Sequence, residues 1–270
     1  MRSRILAEDD QILVCAKPAG LAVQSARPGE ADMVSELKNY LAAERKRTAK
    51  SGTSSGPFSC GRNIPYLGVV HRLDQPVSGI LVFAKTPEAA ADLSRQASGA
   101  GETAVRSEKG SGAGKEKRME KEYRALVYLE RPLVCGPQGE MELTDFLKKE
   151  PGQNLSRVVR ADTPGAKCAR LKLRVLEQPY EAQERCACVA VRLYTGRHHQ
   201  IRVQLAHAGM PLLGDLRYGS EESRACSVRM GIRSVCLCAY RLCFYHPVTG
   251  ERMEFEEAEY PWRQFRPEKI

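Results

Sequence analysis

Residues 68–85 have the sequence Gly68-Val-Val-His-Arg-Leu-Asp-Gln-Pro-Val-Ser-Gly-Ile-Leu-Val-Phe-Ala-Lys85. Two apolar runs, Leu67 to Val70 and Ile80 to Ala84, flank a polar turn. Short apolar runs bounded by Pro and Gly are typical of β-strands, so we predict two neighbouring strands joined by a loop. This loop carries Asp74 beside basic side chains, and a carboxylate in such a place is suited to act as an anionic nucleophile.

Strand patterns outnumber helix patterns in the rest of the chain. Alternating or continuous apolar runs predict strands at Ile12 to Ala16, 123–129, Leu171 to Leu176 and Cys186 to Tyr194, and a hairpin of 235–245 with 251–255. Apolar spacing, with Pro at one first turn, predicts helices over 33–41 and 87–95. Regular β-α-β alternation is missing, which indicates an α+β domain with a mainly antiparallel or mixed central sheet, flanked by helices and loops.

Two segments of the chain are polar and contain few large apolar residues. Residues 45–62 are rich in Lys, Arg, Ser and Gly, and residues 96–118 combine Gly, Ser and Ala with mixed charge. Such compositions bury too little apolar surface to pack well. We predict flexible insertions at both places, within a single domain of residues 1–270 that could divide into two subdomains around a cleft.

The charge balance is basic. Lys and Arg number 42 against 33 Asp and Glu, which gives a formal net charge of +9. This balance suits a polyanionic partner such as RNA, although many basic proteins bind none. The N-terminal residues lack a long apolar stretch, and no apolar run approaches the roughly 20 residues that span a bilayer. We therefore expect a cytoplasmic protein without a secretory signal or a membrane segment.

Ten cysteines leave disulfides, a metal site and simple packing as alternatives. Cys186 and Cys188, like Cys236 and Cys238, are two residues apart within predicted strands, so each pair shares one face of its strand. The sequence contains no C-x-x-C pair. We predict reduced cysteines that serve as small hydrophobic side chains, and no metal.

A basic segment, Arg197-His-His-Gln-Ile-Arg202, follows the predicted strand that ends at Tyr194. Apolar residues at helical spacing then predict a helix that ends at Gly209 and Pro211. This arrangement puts Arg197 and the two histidines at the helix start and Arg202 about one turn inside. Taken alone, these residues could form a solvated helix face, and no acidic or thiolate ligands at fitting spacing favour zinc.

Five motifs in order resemble those of the RluA-type pseudouridine synthases, which isomerise uridines in RNA. They are Lys17-Pro-Ala-Gly-Leu21, His71-Arg-Leu-Asp74, Lys121-Glu-Tyr123, Thr195-Gly-Arg-His-His-Gln-Ile-Arg202 and Gly214-Asp-Leu-Arg-Tyr-Gly219. The resemblance covers about residues 5–260 and implies the α+β pseudouridine synthase catalytic fold. It departs at Val77, where many members have Thr, and at Gln75-Pro76, where charged residues are common. Members often carry an N-terminal S4 RNA-binding domain, for which we expect no room here.

The resemblance implies catalytic roles for three side chains. Asp74 matches the family's catalytic carboxylate, which starts cleavage of the glycosidic bond. Arg202 matches the cation that keeps this carboxylate charged. Tyr123 matches the tyrosine that stacks near the base and takes the proton from C5, and Ile201 matches the apolar residue that packs against the base.

The resemblance also implies how the RNA is bound. Arg72, with His71 beside it, matches the basic residues that fill the gap left when a uridine leaves its stack. The implied substrate is a structured rRNA or tRNA. The protein is expected to act as a monomer, with no cofactor, metal or membrane.

Other interpretations stay open at this point. Without the resemblance, Tyr123 and Ile201 would be assigned to the core of the domain. A non-catalytic RNA-binding protein that keeps the synthase fold is an alternative, although it would not need Asp74, Tyr123 and Arg202 together. A glycosidase acting on free nucleosides is disfavoured because no second carboxylate motif accompanies Asp74.

Overall fold

The structure, a computed structural model, describes residues 1–25, 27, 29–50, 64–98, 117–177, 185–257, 260 and 262. These residues form eleven strands and four α-helices. The strands are β1 Arg4–Glu8, β2 Ile12–Lys17, β3 Gly68–Val69, β4 Ser78–Ala84, β5 Glu120–Tyr128, β6 Glu140–Lys149, β7 Ser156–Val159, β8 Lys167–Glu177, β9 Cys186–Leu193, β10 Leu237–Tyr245 and β11 Arg252–Glu256. The helices are α1 Met33–Lys50, α2 Pro87–Ser98, α3 Gln200–His207 and α4 Glu221–Arg229.

The strands form one mixed sheet. Its order is β1-β2-β4-β10-β5-β9-β8-β6-β7, with β3 paired to β4 and β11 paired to β10. Among the described strands, β4 and β10 are the neighbours that run parallel, and the other pairs are antiparallel. The α+β prediction with a mainly antiparallel or mixed sheet is therefore confirmed, as are the hairpin of β10 with β11 and the pairing of β3 with β4.

Strands β2 and β4 are covered on both faces. One face of β2 and β4 packs Leu13 and Phe83 with the apolar side of α1, and the other packs Ile12 and Val82 with α2. Strands covered on both faces have continuous apolar sequences, which explains the unbroken run of β4. The loop that carries Asp74 therefore leads directly into a fully buried strand, β4.

Gly79 allows the parallel contact between β4 and β10. Its φ is +125°, and a Cβ built there would lie 2.4 Å from both the backbone nitrogen and the oxygen of Ala239. No other residue type avoids this overlap, and the backbone conformation itself is one that glycine alone adopts readily. The glycine after Ser78 in the opening sequence therefore fixes how β10 enters the sheet.

Parts of the two segments predicted to be flexible insertions are helical, which corrects the prediction for those residues. Residues 45–50 are the last turns of α1, because this segment contains good helix formers and no Gly or Pro before Gly52. Residues 96–98 complete α2, where the Gln96 side chain donates to the carbonyl of Tyr245 and accepts from its N–H, both at 2.8 Å. Residues 117 and 118 lie outside any helix or strand, and 51–62 and 99–116 lie outside the described residues.

Four elements were absent from the prediction. Strands β1, β6 and β7 are charged and partly exposed, so their apolar alternation is weak. Helix α4 has few apolar residues and is stabilised at its start by Ser220, whose side chain accepts from the Ser223 N–H.

Helix α3 begins at Gln200, so Arg197 and His198 precede it rather than lie within it.

The cysteines of the two C-x-C pairs are buried, as their strand positions predicted. They and the other described cysteines are free thiols. Burial raises the pKa of the Cys238 thiol to about 12, which keeps it protonated and unreactive at neutral pH. Among the described helices, none combines the length and apolarity needed to cross a bilayer.

Candidate active site

Asp74 contacts a residue that lies 128 positions further along the chain. Its carboxylate Oδ2 accepts a hydrogen bond of 3.1 Å from Nη1 of Arg202, which lies in the first turn of α3. The Asp74 side chain is 26% exposed, whereas the Arg202 side chain is only 5% exposed. The carboxylate is therefore open to a ligand on one side and held by a buried cation on the other.

Asp215 binds the same arginine through the two nitrogens that do not contact Asp74. Its two oxygens accept from Nε and Nη2 of Arg202 at 2.7 and 2.9 Å, a bidentate arrangement. Burial alone would raise the pKa of Asp215, but hydrogen bonds from Arg202 and from two backbone N–H groups lower it below its usual value. Arg202 is thus fixed in position before it reaches Asp74.

The turn that presents Asp215 is itself rigid. Oδ1 of Asp215 also accepts from the backbone N–H groups of Arg217 and Tyr218, at 2.9 and 3.2 Å. Gly214 has φ +74°, and a Cβ on it would lie 2.0 Å from the carbonyl oxygen of Ser234. These contacts give a physical reason for the Gly-Asp-x-x-Tyr-Gly motif.

His199 faces the other side of Asp74. It has a left-handed backbone, φ +55°, and its Nε2 lies 3.6 Å from Asp74 Oδ2. The hydroxyl of Tyr218 accepts from the backbone N–H of Ser156 at 2.9 Å and lies 2.8 Å from Nδ1 of His199. The hydroxyl can therefore donate to Nδ1, which leaves the hydrogen on Nε2, towards Asp74.

The charge state of His199 follows from its surroundings. Burial lowers the pKa of His199 to about 4; the charge of Asp74 opposes this, and that of Arg202 adds to it. The ring is therefore neutral at pH 7. A neutral ring leaves Arg202 as the cation that touches Asp74.

Tyr123 and Ile201 belong to one buried cluster. Tyr123 lies on β5 and Ile201 lies in the first turn of α3, and each is about one-twentieth exposed. Burial raises the pKa of Tyr123 well above its usual value, and the negative charge of Asp74 raises it further. The tyrosine is thus a protonated phenol within the electrostatic reach of Asp74.

Lys17 ties the first motif to the loop of Asp74. Its buried ammonium donates to the carbonyl oxygens of Pro18, Leu21 and Gln75 at 3.1, 2.5 and 2.9 Å. The Gly20 N–H donates to the same Gln75 oxygen at 2.9 Å. Burial lowers the pKa of Lys17 to about 7, against the opposing effect of Asp74. The sequence motif therefore stabilises the residue that follows Asp74.

Arg72 and His71 point to different surroundings. Arg72 is exposed, and its Nη2 donates to Oε1 of Gln24 at 3.2 Å. Nε2 of His71 accepts from the N–H of Val82 at 3.3 Å. Burial and, to a lesser degree, the charge of Lys121 lower the pKa of His71 well below its usual value. His71 is therefore a neutral group that anchors the loop to β4, and Arg72 is the member of the pair that is open to solvent.

A cavity of about 790 Å³ lies beside the paired Arg202 and Asp215. Gly20 and Pro76 contribute to one wall of this cavity. The rest is lined chiefly by the residues around Asp215 and by a second segment, namely Gly214, Leu216, Arg217, Arg233, Ser234 and Val235. A volume of this size is typical of ligand-binding sites.

Residues 11–207 match the protein family described as RNA pseudouridylate synthase. The chain belongs to this family. It is 33% identical over 257 residues to an uncharacterised RNA pseudouridine synthase of Aquifex aeolicus, covering 94% of this chain and 69% of the relative. Two relatives are named as ribosomal large subunit pseudouridine synthases, and each is 30% identical. The synthase D of Nitrosomonas europaea matches 94% of this chain and 61% of its own length. The synthase C of Yersinia pestis matches 93% of this chain and 64% of its own length. The chain thus spans less than two thirds of these two relatives.

Solved structures of the family share the fold. Human RNA pseudouridylate synthase domain containing 4 superposes with a TM-score of 0.60 at 19% identity, covering 96% of this chain and 89% of that chain. The human domain containing 1 gives 0.59 at 20% identity, covering 95% and 83%. The pseudouridine synthase fold predicted from the five motifs is therefore confirmed.

The site contains four residues to which the sequence assigned no role. Asp215 and Tyr218 belong to the Gly214–Gly219 motif, Lys17 to the first motif, and His199 to the segment before α3. Each was visible in the sequence as a member of a family motif. Their contacts with Arg202, with Gln75 and with one another become apparent only when distant segments are brought together.

Proposed function

We propose that this protein converts uridines in RNA to pseudouridines, and that Asp74 starts the reaction. The observation that carries this proposal is the ion pair between the part-exposed Asp74 and the buried Arg202, in a chain of the RNA pseudouridylate synthase family. A carboxylate that accepts from a fixed guanidinium is held in place and keeps one side free for a sugar.

The reaction moves the uracil from one bond to another at the same sugar carbon. Asp74 either attacks C1′ or starts an elimination at the sugar, and the N1–C1′ bond breaks with its electron pair moving to the base. The base then turns, C5 bonds to C1′, C5 loses its proton and N1 gains one. Because the product has the same atoms and oxidation state as the substrate, we expect no cofactor.

Tyr123 is proposed to contact the base and to handle the C5 proton. Because burial and Asp74 raise its pKa, its hydroxyl is protonated at neutral pH. It can accept the C5 proton only as its own proton passes to another group. We assign that role to Asp74 after it has released the sugar, because its charge already acts on Tyr123 by raising the pKa of the phenol. Ile201, in the same buried cluster, is proposed to pack against the ring of the base.

The target uridine has to leave its stack to reach Asp74, at a cost of a few kcal/mol. The exposed Arg72, two residues before Asp74, is proposed to fill the gap that the uridine leaves. For His71, its inward contact with Val82 favours support of the loop over contact with RNA.

Large-subunit ribosomal RNA is the proposed substrate, because two relatives of similar sequence are named for it. A tRNA target remains the alternative from the sequence, and pseudouridine mapping separates the two. Action on either RNA agrees with the expected cytoplasmic location.

The test compares RNA from cells with and without the gene by chemical mapping of pseudouridine. RNA from the deleted strain then serves as substrate for the purified protein and for the variant Asp74→Asn. We expect one or more sites to vanish in the deleted strain and to be restored by the wild type but not by Asp74→Asn. Asp162→Asn, a change of the same kind at a 71% exposed side chain, serves as the control and should restore them.

Two results would contradict the proposal. The enzyme assignment fails if the wild type forms no pseudouridine in total RNA from the deleted strain. The assignment of Asp74 fails if the Asp74→Asn variant is as active as Asp162→Asn. If the protein only binds RNA without catalysis, we expect the first result together with normal RNA binding.

A further inference from the structure

One wall of the cavity beside Arg202 has no part in the proposed chemistry. Leu216, Arg217 and Arg233 line it, and all three side chains are exposed to solvent. Leu216 is 79% exposed, although it is a large apolar residue. This wall therefore presents one apolar side chain and two guanidinium groups to a cavity that Arg202, the partner of Asp74, also lines.

We propose that this wall binds the RNA backbone of a nucleotide next to the reacting uridine. In this assignment Arg217 and Arg233 contact phosphate oxygens, and Leu216 packs against the sugar or base of that nucleotide. The assignment rests on the proposed function, because it places the neighbouring nucleotide relative to the uridine at Asp74.

The charges in the cavity favour an anionic ligand. The two nearby carboxylates, Asp74 and Asp215, both accept from Arg202, which offsets one of their two negative charges. With Arg217 and Arg233 added, three guanidinium groups stand against two carboxylates, a formal net charge of +1. Arg217 and Arg233 form no ion pair with an acidic residue in the part of the chain that the structure describes. Two guanidinium groups that line one cavity and have no acidic partner among the described residues suit phosphate, to which arginine donates in a fixed planar geometry.

Arg217 is held at the site by its surroundings. Its backbone N–H donates to Asp215, and its guanidinium donates to the carbonyl oxygen of Asn154 on the neighbouring hairpin. Its charge also contributes to the lowered pKa of His199, which itself faces Asp74. A phosphate bound by Arg217 would therefore lie close to the reacting nucleotide rather than on a distant surface.

The exposure of Leu216 is enforced by the same turn. Asp215 accepts from the backbone N–H groups on the C-terminal side of Leu216, and the Gly219 N–H donates to the carbonyl of Asp215 at 2.9 Å. A closed turn of this kind cannot fold the leucine inward without losing these bonds. An apolar side chain kept exposed at a cavity mouth gains free energy when a ligand covers it, at about 25 cal/mol per Å².

The first experiment measures binding and does not depend on catalysis. A fluorescently labelled ten-nucleotide oligouridylate is titrated with wild type, Arg217→Gln and Arg233→Gln over a range of KCl concentrations. We expect each substitution to weaken binding roughly three- to tenfold and to reduce the slope of log K against log[KCl] by about 0.7, the value for one phosphate contact on a single strand.

Arg174→Gln is the matched control. Arg174 is an exposed arginine on β8 that follows the buried Leu173, so it lies on the strand face opposite the core, and it does not line the cavity. Although Arg174→Gln also removes one positive charge, it should leave the slope of log K against log[KCl] unchanged. The proposal is overturned if Arg217→Gln and Arg233→Gln give the same affinity and slope as Arg174→Gln.

The second experiment measures turnover on the RNA identified by mapping. Arg233→Gln should raise KM several-fold and leave kcat unchanged, and Leu216→Ala should raise KM about threefold. Replacing single phosphates near the target by neutral methylphosphonates should raise KM at one position for the wild type but not for Arg233→Gln. Equal effects of that replacement on both proteins would refute the contact.

Failure of the proposed function gives a different pattern. If the wild type forms no pseudouridine but the two arginine variants still lose oligouridylate affinity and salt slope relative to Arg174→Gln, the phosphate site stands and the reaction is wrong. If the wild type is active but the arginine variants match the control in both experiments, the reaction stands and the phosphate site is wrong.

Discussion

Asp215 binds Arg202 through two hydrogen bonds of 2.7 and 2.9 Å, while Arg202 keeps one nitrogen for Asp74 at 3.1 Å. Asp215 therefore fixes Arg202, and Arg202 in turn fixes Asp74, the carboxylate that is proposed to contact the substrate. This chain of contacts makes the position of Asp74 depend on a turn that follows α3.

Asp215→Asn should reduce both stability and turnover. The buried Arg202 would lose its bidentate anionic partner, and breaking a buried ion pair costs about 3–5 kcal/mol. We expect the free energy of unfolding in urea to fall by an amount of this order. We also expect kcat to fall at least tenfold at temperatures where the variant is folded. Asp162→Asn, at a surface pair with Arg160, should change neither quantity. Full activity of Asp215→Asn would show that Arg202 does not need this support.

Tyr123→Phe should separate catalysis from packing. The substitution removes only the hydroxyl from a buried ring, so the free energy of unfolding should change by less than about 1 kcal/mol. If the hydroxyl handles the C5 proton, kcat should fall about 100-fold or more with KM little changed. Tyr128→Phe changes a second buried tyrosine of β5 and should leave kcat unaltered. Similar kcat values for both variants would assign Tyr123 to packing alone.

The stability of the protein should depend on pH through His199. Its pKa is about 4 in the folded protein and about 6.5 when unfolded, so the unfolded state binds more protons between these values. The contribution of His199 to the free energy of unfolding is therefore fully present above pH 6.5 and is lost as pH falls towards 4. We expect His199→Asn to lessen the loss of unfolding free energy between pH 7 and pH 5 by up to about 2 kcal/mol.

The control for this pH effect is His207→Gln, because His207 is 60% exposed. Urea unfolding at the two pH values measures the difference for each protein. His71, whose pKa burial also lowers, contributes to the same decline in all of them. Identical pH dependence in His199→Asn and His207→Gln would contradict the assignment of a neutral buried ring.

Gly79→Ala should destabilise the fold far more than an equivalent change elsewhere. The added Cβ would overlap the backbone of Ala239, so β4 and β10 would have to separate. We expect a loss of more than about 3 kcal/mol in unfolding free energy, or insoluble protein. Gly152→Ala is the comparison for a left-handed residue in open space, because Gly152 has φ +69° and no atom within 4 Å of an added Cβ, and it should lose only about 1 kcal/mol. Equal losses in the two variants would show that the close approach is unimportant.

The sequence was sufficient to predict the main strands and to place Asp74 on the loop between two of them. The run that follows Asp74 is apolar because β4 is buried on both faces, and a run of that kind is visible without any structure. The ends of α1 and α2 were misjudged because their last turns are polar, and helix formation there depends on backbone propensity and on Gln96 rather than on apolar spacing.

The partners of Asp74 were available only through the resemblance. Arg202 could be assigned from a motif, but neither composition nor spacing indicates that Asp215 grips it or that the Lys17 ammonium binds the carbonyl of Gln75. Such contacts join segments that are far apart in sequence, and they depend on the order of strands in the sheet. Local patterns carry no information about that order.

The place of β10 in the sheet has a consequence during synthesis of the protein. β10 lies between β4 and β5, although 152 residues separate Ala84 from Leu237. A nascent chain that has not yet released β10 from the ribosome exposes one open edge on β4 and another on β5, and open edges promote aggregation. Strands β4 and β5 can both pair with β10 only after translation has passed Tyr245. We therefore expect mRNAs truncated before that codon to yield products that aggregate or are degraded, rather than a partly active enzyme.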